Sequence, residues 1–229
     1  MGDAGSFYPA DRWNPDGYFE QPDIHAVNRP LIHGPWGRLA YFKLPTATTI
    51  LKRAARRREQ IAGTAEKYDR KVVKETRFCL TLQAWLACSA RIRRIIVCLR
   101  DPDAVVRSIQ NRNWISQRHG YQLWHTHLER LLKQSDTIPL WFVRYENLLN
   151  SDTFLDELRP ALRFFEMTMD ERELRSLQEK VVKPEWNHFR DRSNECPQNV
   201  RHLWRDLLER HATQLHPTAS EATATSCHE

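Results

Sequence analysis

The chain has 229 residues, a net charge of +6 and 41% hydrophobic residues. That length suits one large domain or two small ones, and that apolar share excludes wholesale disorder. No apolar run passes about five residues (Ile95 to Leu99), far short of the roughly 20 that span a bilayer.

Residues 1–45 carry five of the seven glycines and six of the twelve prolines, with several aromatics. They read as an irregular aromatic-rich segment. Thr46 to Tyr68 reads as one helix with a basic face formed by Lys52, Arg53, Arg56, Arg57 and Arg58. Lys71 to Lys74 is a short strand candidate, and Leu80 to Ala90 fits a short helix with Leu82, Trp85, Leu86 and Ser89 near helical spacing. Arg94 to Leu99 is a β-branched run too short for a helix, so a buried strand is expected. Asp101-Pro102 should cap and open a helix running to about Asn113. A helix from Tyr121 to Lys133 and a strand from Ile138 to Tyr145 follow. Two or three further helices extend to about Leu215. Strands alternating with helices imply an α/β domain with a parallel sheet, over residues 1–215. The Thr-, Ala- and Ser-rich tail 216–229 is expected to be disordered.

Glycines at 2, 5, 17, 34, 37, 63 and 120 permit no GxGxxG and no GxxxxGKS/T loop. Five cysteines without CxxC spacing, and ten scattered histidines, offer no metal constellation and suggest free thiols. With no signal peptide in the first twenty residues, the expected location is cytoplasmic. The basic helix admits a nucleic-acid reading, but no nucleic-acid motif accompanies it, and a solvated helix face is the simpler account.

The stretch Ile95-Ile96-Val97-Cys98-Leu99-Arg100-Asp101-Pro102, followed by Ser108, places an arginine at the carboxyl end of a strand. Ligands of open α/β sheets bind there. Arg100 and Ser108, flanked by Arg107 and Arg112, offer donors that suit a phosphate. The alternative is that Arg100 pairs with Asp101 or Asp103.

This strand–R-D-P–helix–Ser pattern resembles the 3′-phosphate-binding segment of sulfotransferases that use 3′-phosphoadenosine 5′-phosphosulfate (PAPS). Three more stretches are similar to segments of that family, in the same order. They are Asn14-Pro15-Asp16-Gly17-Tyr18-Phe19-Glu20 with Ile24 and Asn28, Lys74-Glu75-Thr76-Arg77 with Leu80-Thr81-Leu82 and Trp85, and Arg144-Tyr145-Glu146-Asn147-Leu148. The resemblance implies a three-layer parallel sheet flanked by helices, of the P-loop nucleotide-hydrolase type. The family's first β-loop-α unit, which wraps the 5′-phosphosulfate, has no counterpart here. An uncovered sheet edge would then favour self-association.

The implied activity is sulfuryl transfer from PAPS to a hydroxyl or amine of a small-molecule or glycan acceptor. Arg100 and Ser108 would hold the 3′-phosphate, with Arg190 or Arg192 reaching it from a late loop. Lys74 would serve the leaving group. Glu20 would take the acceptor proton, with His25 as its rival. A catalytically inactive or truncated remnant of the family, binding weakly or only structurally, is the alternative, because the phosphosulfate loop is not matched and the family's KDPR segment reads Lys74-Glu75-Thr76-Arg77.

Overall fold

A computed structural model describes residues 7, 9–12, 14, 17–34, 43–182 and 196–216. Among them the chain is mixed α/β and mostly helical, with one two-stranded parallel sheet. The described residues group into two compact units. The first comprises Met1–Ile92 with His127–Thr137, and the second Arg93–Thr126 with Ile138–Glu229. The tail beyond residue 216, Arg190 and Arg192 lie outside the described residues.

The first unit is helical. Helix α1 (Pro22–His33) starts with proline in its first turn and buries Ile24, Val27, Asn28 and Leu31 along one face. The glycines and prolines of this region predict an irregular segment, and the structure differs. Pro22 stands instead where a missing N–H costs nothing, and an apolar stripe at i, i+3 and i+7 fixes the helix. It ends at Gly34, whose φ of 56° favours glycine. A Cβ there would lie 2.5 Å from the Arg53 guanidinium. That guanidinium donates to the Leu31 and Ile32 carbonyls at 2.8 and 2.9 Å, satisfying two orphan acceptors of the helix end.

The expected helix from Thr46 to Tyr68 is two helices, α2 (Ala47–Ala55) and α3 (Arg58–Lys67). The Arg57 N–H turns back onto the Ala54 carbonyl at 2.8 Å, and its φ of −128° leaves the helical region. Ile50 and Ala54 of α2 and Ile61 of α3 thereby enter one core with α1 and helix α4 (Phe78–Ala87). The strand expected at Lys71 to Lys74 does not form. Val72 is exposed, and no described strand pairs with this stretch.

The second unit holds the sheet. Strand β1 (Ile95–Leu99) runs parallel to β2 (Leu140–Arg144), in register from Ile95 opposite Leu140 to Leu99 opposite Arg144. Helix α5 (Pro102–Arg112) follows β1, capped by Asp101, whose carboxylate accepts from the Asp103 and Ala104 N–H groups. Helix α6 (Gln117–Gln134) passes from the second unit into the first. A short helix α7 (Tyr145–Leu148), then α8 (Phe154–Phe164), α9 (Glu171–Val181) and α10 (Gln198–Leu215) complete it.

Side chains from two helices occupy backbone groups of β2. Gln214 of α10 donates to the Leu140 carbonyl at 2.8 Å and accepts from the Phe142 N–H at 2.9 Å. Glu157 of α8 accepts from the Arg144 N–H at 2.6 Å. Gln214 so bonds the strand as a neighbouring strand would. Gln214→Ala strips two half-buried backbone partners and is expected to destabilise by about 1–3 kcal/mol in denaturant unfolding.

Candidate functional site

The candidate residues fall into two groups, one in each unit. In the first, local turn chemistry places Glu20. Asn14 donates through its side-chain amide to the Gly17 carbonyl, and Gly17 adopts a φ of 87° that only glycine holds readily. Phe19 follows with a φ of 53°, a strained conformation for an aromatic residue. The turn leaves Phe19 exposed and sends the next residue, Glu20, inward to 8% exposure.

Glu20 meets two cations there. Its carboxylate lies 3.7 Å from Lys74 Nζ and 3.5 Å from Arg77 Nη1. Lys74 also donates to the Tyr18 carbonyl. Arg77 binds Glu75 more closely, at 2.8 Å, and its backbone N–H bonds the same oxygen at 2.9 Å. The other Glu75 oxygen is buried and has no partner among the described residues. Burial, and then the negative charge of Glu75, push the Glu20 carboxyl up, against the opposing pull of Lys74 and Arg77. A carboxyl shifted upward is better matched to accepting a proton near neutrality. His25, on the first turn of α1, is half-buried. Burial and the Arg77 charge push its imidazole down, so it is a weaker proton acceptor than an ordinary histidine.

Deeper in the same unit, Asn28 is fully buried. Its side-chain oxygen accepts from Thr81 Oγ1 at 2.9 Å and from the Trp85 indole at 2.8 Å. This ties α1 to α4 and explains structurally why Asn28, Thr81 and Trp85 belong together.

The second group lies at the carboxyl end of the sheet. Arg100 directly follows β1. The two carboxylates nearest in sequence are otherwise engaged: Asp101 caps α5, and Asp103 accepts from the Tyr121 hydroxyl at 2.6 Å. Arg100 instead lies over the Tyr145 ring, 4.4 Å from its centroid. No carboxylate pairs with Arg100 among the described residues. Burial raises the Tyr145 phenol, partly offset by the Arg100 charge. Glu146 accepts from the Asp101 N–H at 3.0 Å and sits 3.8 Å from the Arg144 guanidinium, so it ties the ends of the two strands together. Ser108, two turns into α5, accepts from Arg112 Nη2 at 2.7 Å.

The structure thus brings Glu20 and Lys74 together and sets Arg100 and Ser108 on one strand–helix unit. Tyr145 has no partner assigned by sequence, whereas sequence leaves Glu75 and Glu146 open as partners of Arg77, and the pair with Glu75 is the one that forms. Stacking under Arg100 and bridging of two carboxylates require three-dimensional proximity that spacing alone does not reveal. A surface depression along α9, lined by Met169, Arg172, Glu173, Ser176, Leu177 and Lys180, includes none of the candidate residues.

Of the basic helix face, Arg53 is consumed in capping α1, while Lys52, Arg56, Arg57 and Arg58 remain exposed. No disulfide joins described cysteines, and burial pushes the Cys79 and Cys196 thiols up to about 11. Among the described residues no helix is long and apolar enough to cross a membrane, and no group of three or more His, Cys, Asp or Glu could hold a metal ion. Compared with protein-family models, curated proteins and solved structures, the chain matches none.

Proposed function

We propose that the chain is a sulfotransferase-type protein that binds PAPS and transfers its sulfuryl group to a hydroxyl or amine of a small-molecule or glycan acceptor. The observation that carries this reading is Arg100. It is a guanidinium at the carboxyl end of a parallel strand, laid on Tyr145, with no carboxylate partner among the described residues. The order of the four motif stretches supports it. In this reading the parallel pair belongs to a three-layer sheet of the sulfotransferase type.

The residues present fit a 3′-phosphate. The first N–H groups of α5 are taken by Asp101, so side chains must hold the anion. Arg100 supplies charge and a planar fork, and Ser108 supplies a hydroxyl. The motif resemblance, and no geometry between the two units, assigns Lys74 to the leaving phosphate and Glu20 to the acceptor proton. A bond from the acceptor oxygen or nitrogen to sulfur forms as the bond from sulfur to the phosphate oxygen breaks. The electron pair leaves with the 5′-phosphate, and Glu20 takes the proton. Substrate entry must part Glu20 from Lys74, a contact that is weak at 3.7 Å with the lysine half exposed.

A second reading, nucleotide binding without transfer, is favoured by that same pairing, since it engages both groups with each other. Incubation of the full chain with PAPS and a panel of hydroxyl and amine acceptors separates the two. Acceptor-dependent release of adenosine 3′,5′-bisphosphate is expected, reduced at least about 100-fold in Glu20→Gln. Binding without release supports the second reading, and absence of binding overturns both.

A further inference from the structure

Ser108 is not alone on its helix face. Arg112, one turn on, donates Nη2 to Ser108 Oγ at 2.7 Å and Nε to the Ser108 carbonyl at 3.3 Å. Side chains on a helix lean toward its N-terminus, so this guanidinium is drawn back over Ser108, toward the Arg100 end of α5. Two consequences follow from the donor inventory. A serine oxygen that accepts from arginine must turn its own O–H elsewhere, and no described residue accepts it. Arg112 uses one N–H of Nη2 and its Nε–H, which leaves three N–H donors on an exposed guanidinium.

We infer that Arg112 is a further anion-binding and specificity residue of the site built on Arg100 and Ser108. It orients the Ser108 hydroxyl as a donor and adds its own N–H groups to the same phosphomonoester. The inference rests on the nucleotide-binding reading above. The charges match, because two guanidinium groups balance the roughly −2 of a phosphomonoester at neutral pH. A phosphodiester or an unphosphorylated ribose carries too little charge to engage both. For an adenine nucleotide seated with its ribose 3′ position at Arg100, the clamp therefore favours a 3′-phosphomonoester over the unphosphorylated 3′-hydroxyl of a nucleotide phosphorylated only at the 5′ position.

Calorimetric titration of the full chain with adenosine 3′,5′-bisphosphate and with adenosine 5′-monophosphate tests this. The unmodified protein should prefer the bisphosphate by at least about 100-fold. Arg112→Ala should weaken bisphosphate binding at least about tenfold and leave 5′-monophosphate binding unchanged. Arg112→Lys should fall between, since it keeps the charge and loses the fork. Because Arg112 is exposed, the melting temperature of Arg112→Ala should stay within about 2 °C of the parent. An Arg112→Ala protein that keeps the full preference overturns the inference while leaving the proposed function standing. A parent that binds neither nucleotide overturns both.

Discussion

Glu157→Leu is expected to destabilise the second unit by about 3–5 kcal/mol. Glu157 is 1% exposed and spends both oxygens. One accepts from the Arg144 N–H at 2.6 Å and lies 2.7 Å from His211 Nε2; the other accepts from the Asn147 side-chain amide at 2.8 Å. Leucine fills a similar volume but leaves the buried His211 ring nitrogen and the half-buried Arg144 N–H and Asn147 amide without this partner, and each loss is costly away from water. Burial alone would raise this carboxyl, yet its hydrogen bonds from His211, Asn147 and the Arg144 N–H hold it below its ordinary 4.5.

The pH dependence follows from that direction. Where pH lies between the folded and unfolded values, the unfolded chain binds more protons, so stability rises with pH. The carboxylate contribution is complete above about pH 4.5 and is lost as pH falls through the lower folded value. The gap between parent and Glu157→Leu in denaturant melts should therefore be full at pH 7 and narrower at pH 3. A gap that is equally wide at both values would mean that ionisation of Glu157 contributes nothing.

The second large effect concerns the anion site. Arg100→Ala combined with Ser108→Ala should weaken binding of adenosine 3′,5′-bisphosphate by at least about 100-fold. Each hydrogen bond to a charged group is worth about 1.5–3 kcal/mol, and every 1.4 kcal/mol is tenfold. Arg100→Lys should recover only part of the loss, because an ammonium keeps the charge but has no planar fork to present two parallel donors. Neither substitution removes the capping of α5 by Asp101 or the bond from the Asp101 N–H to Glu146, so far-ultraviolet circular dichroism should stay unchanged. Equal affinity in parent and double variant would detach the anion site from Arg100 and Ser108.

Much of the second unit is legible in the sequence. The β-branched run at Ile95–Leu99, the Asp101-Pro102 helix start and the strand before Arg144 each carry a local signal strong enough to survive tertiary packing. The first unit is less so. Pro22 and Pro30 conceal α1, whose apolar stripe decides the matter. Three consecutive arginines read as continuous helix, yet Arg57 breaks it because Ile50 and Ile61 must enter one core. Val72-Val73 has strand propensity but no partner strand among the described residues, and an unpaired extended stretch gains no ladder.

The site divides the same way. Arg100 and Ser108 are readable because strand ends and helix starts are. Tyr145 beneath Arg100, and Glu20 beside Arg77, lie tens of residues from their partners in sequence, and only the fold joins them, whereas the Arg77–Glu75 pair is local. Gln214 on β2 is the extreme case, an unremarkable amide in a polar helix that acts as a strand edge.

The measurement that bears most directly on the central claim is the melting of the full chain with and without adenosine 3′,5′-bisphosphate. A ligand at a hundredfold excess over its Kd stabilises the native state by about 2.7 kcal/mol, or about 5–10 °C for a chain of this size. The account predicts such a rise for the parent protein at millimolar ligand, and at most about 2 °C for the protein lacking both Arg100 and Ser108. An unchanged melting temperature for the parent would contradict it.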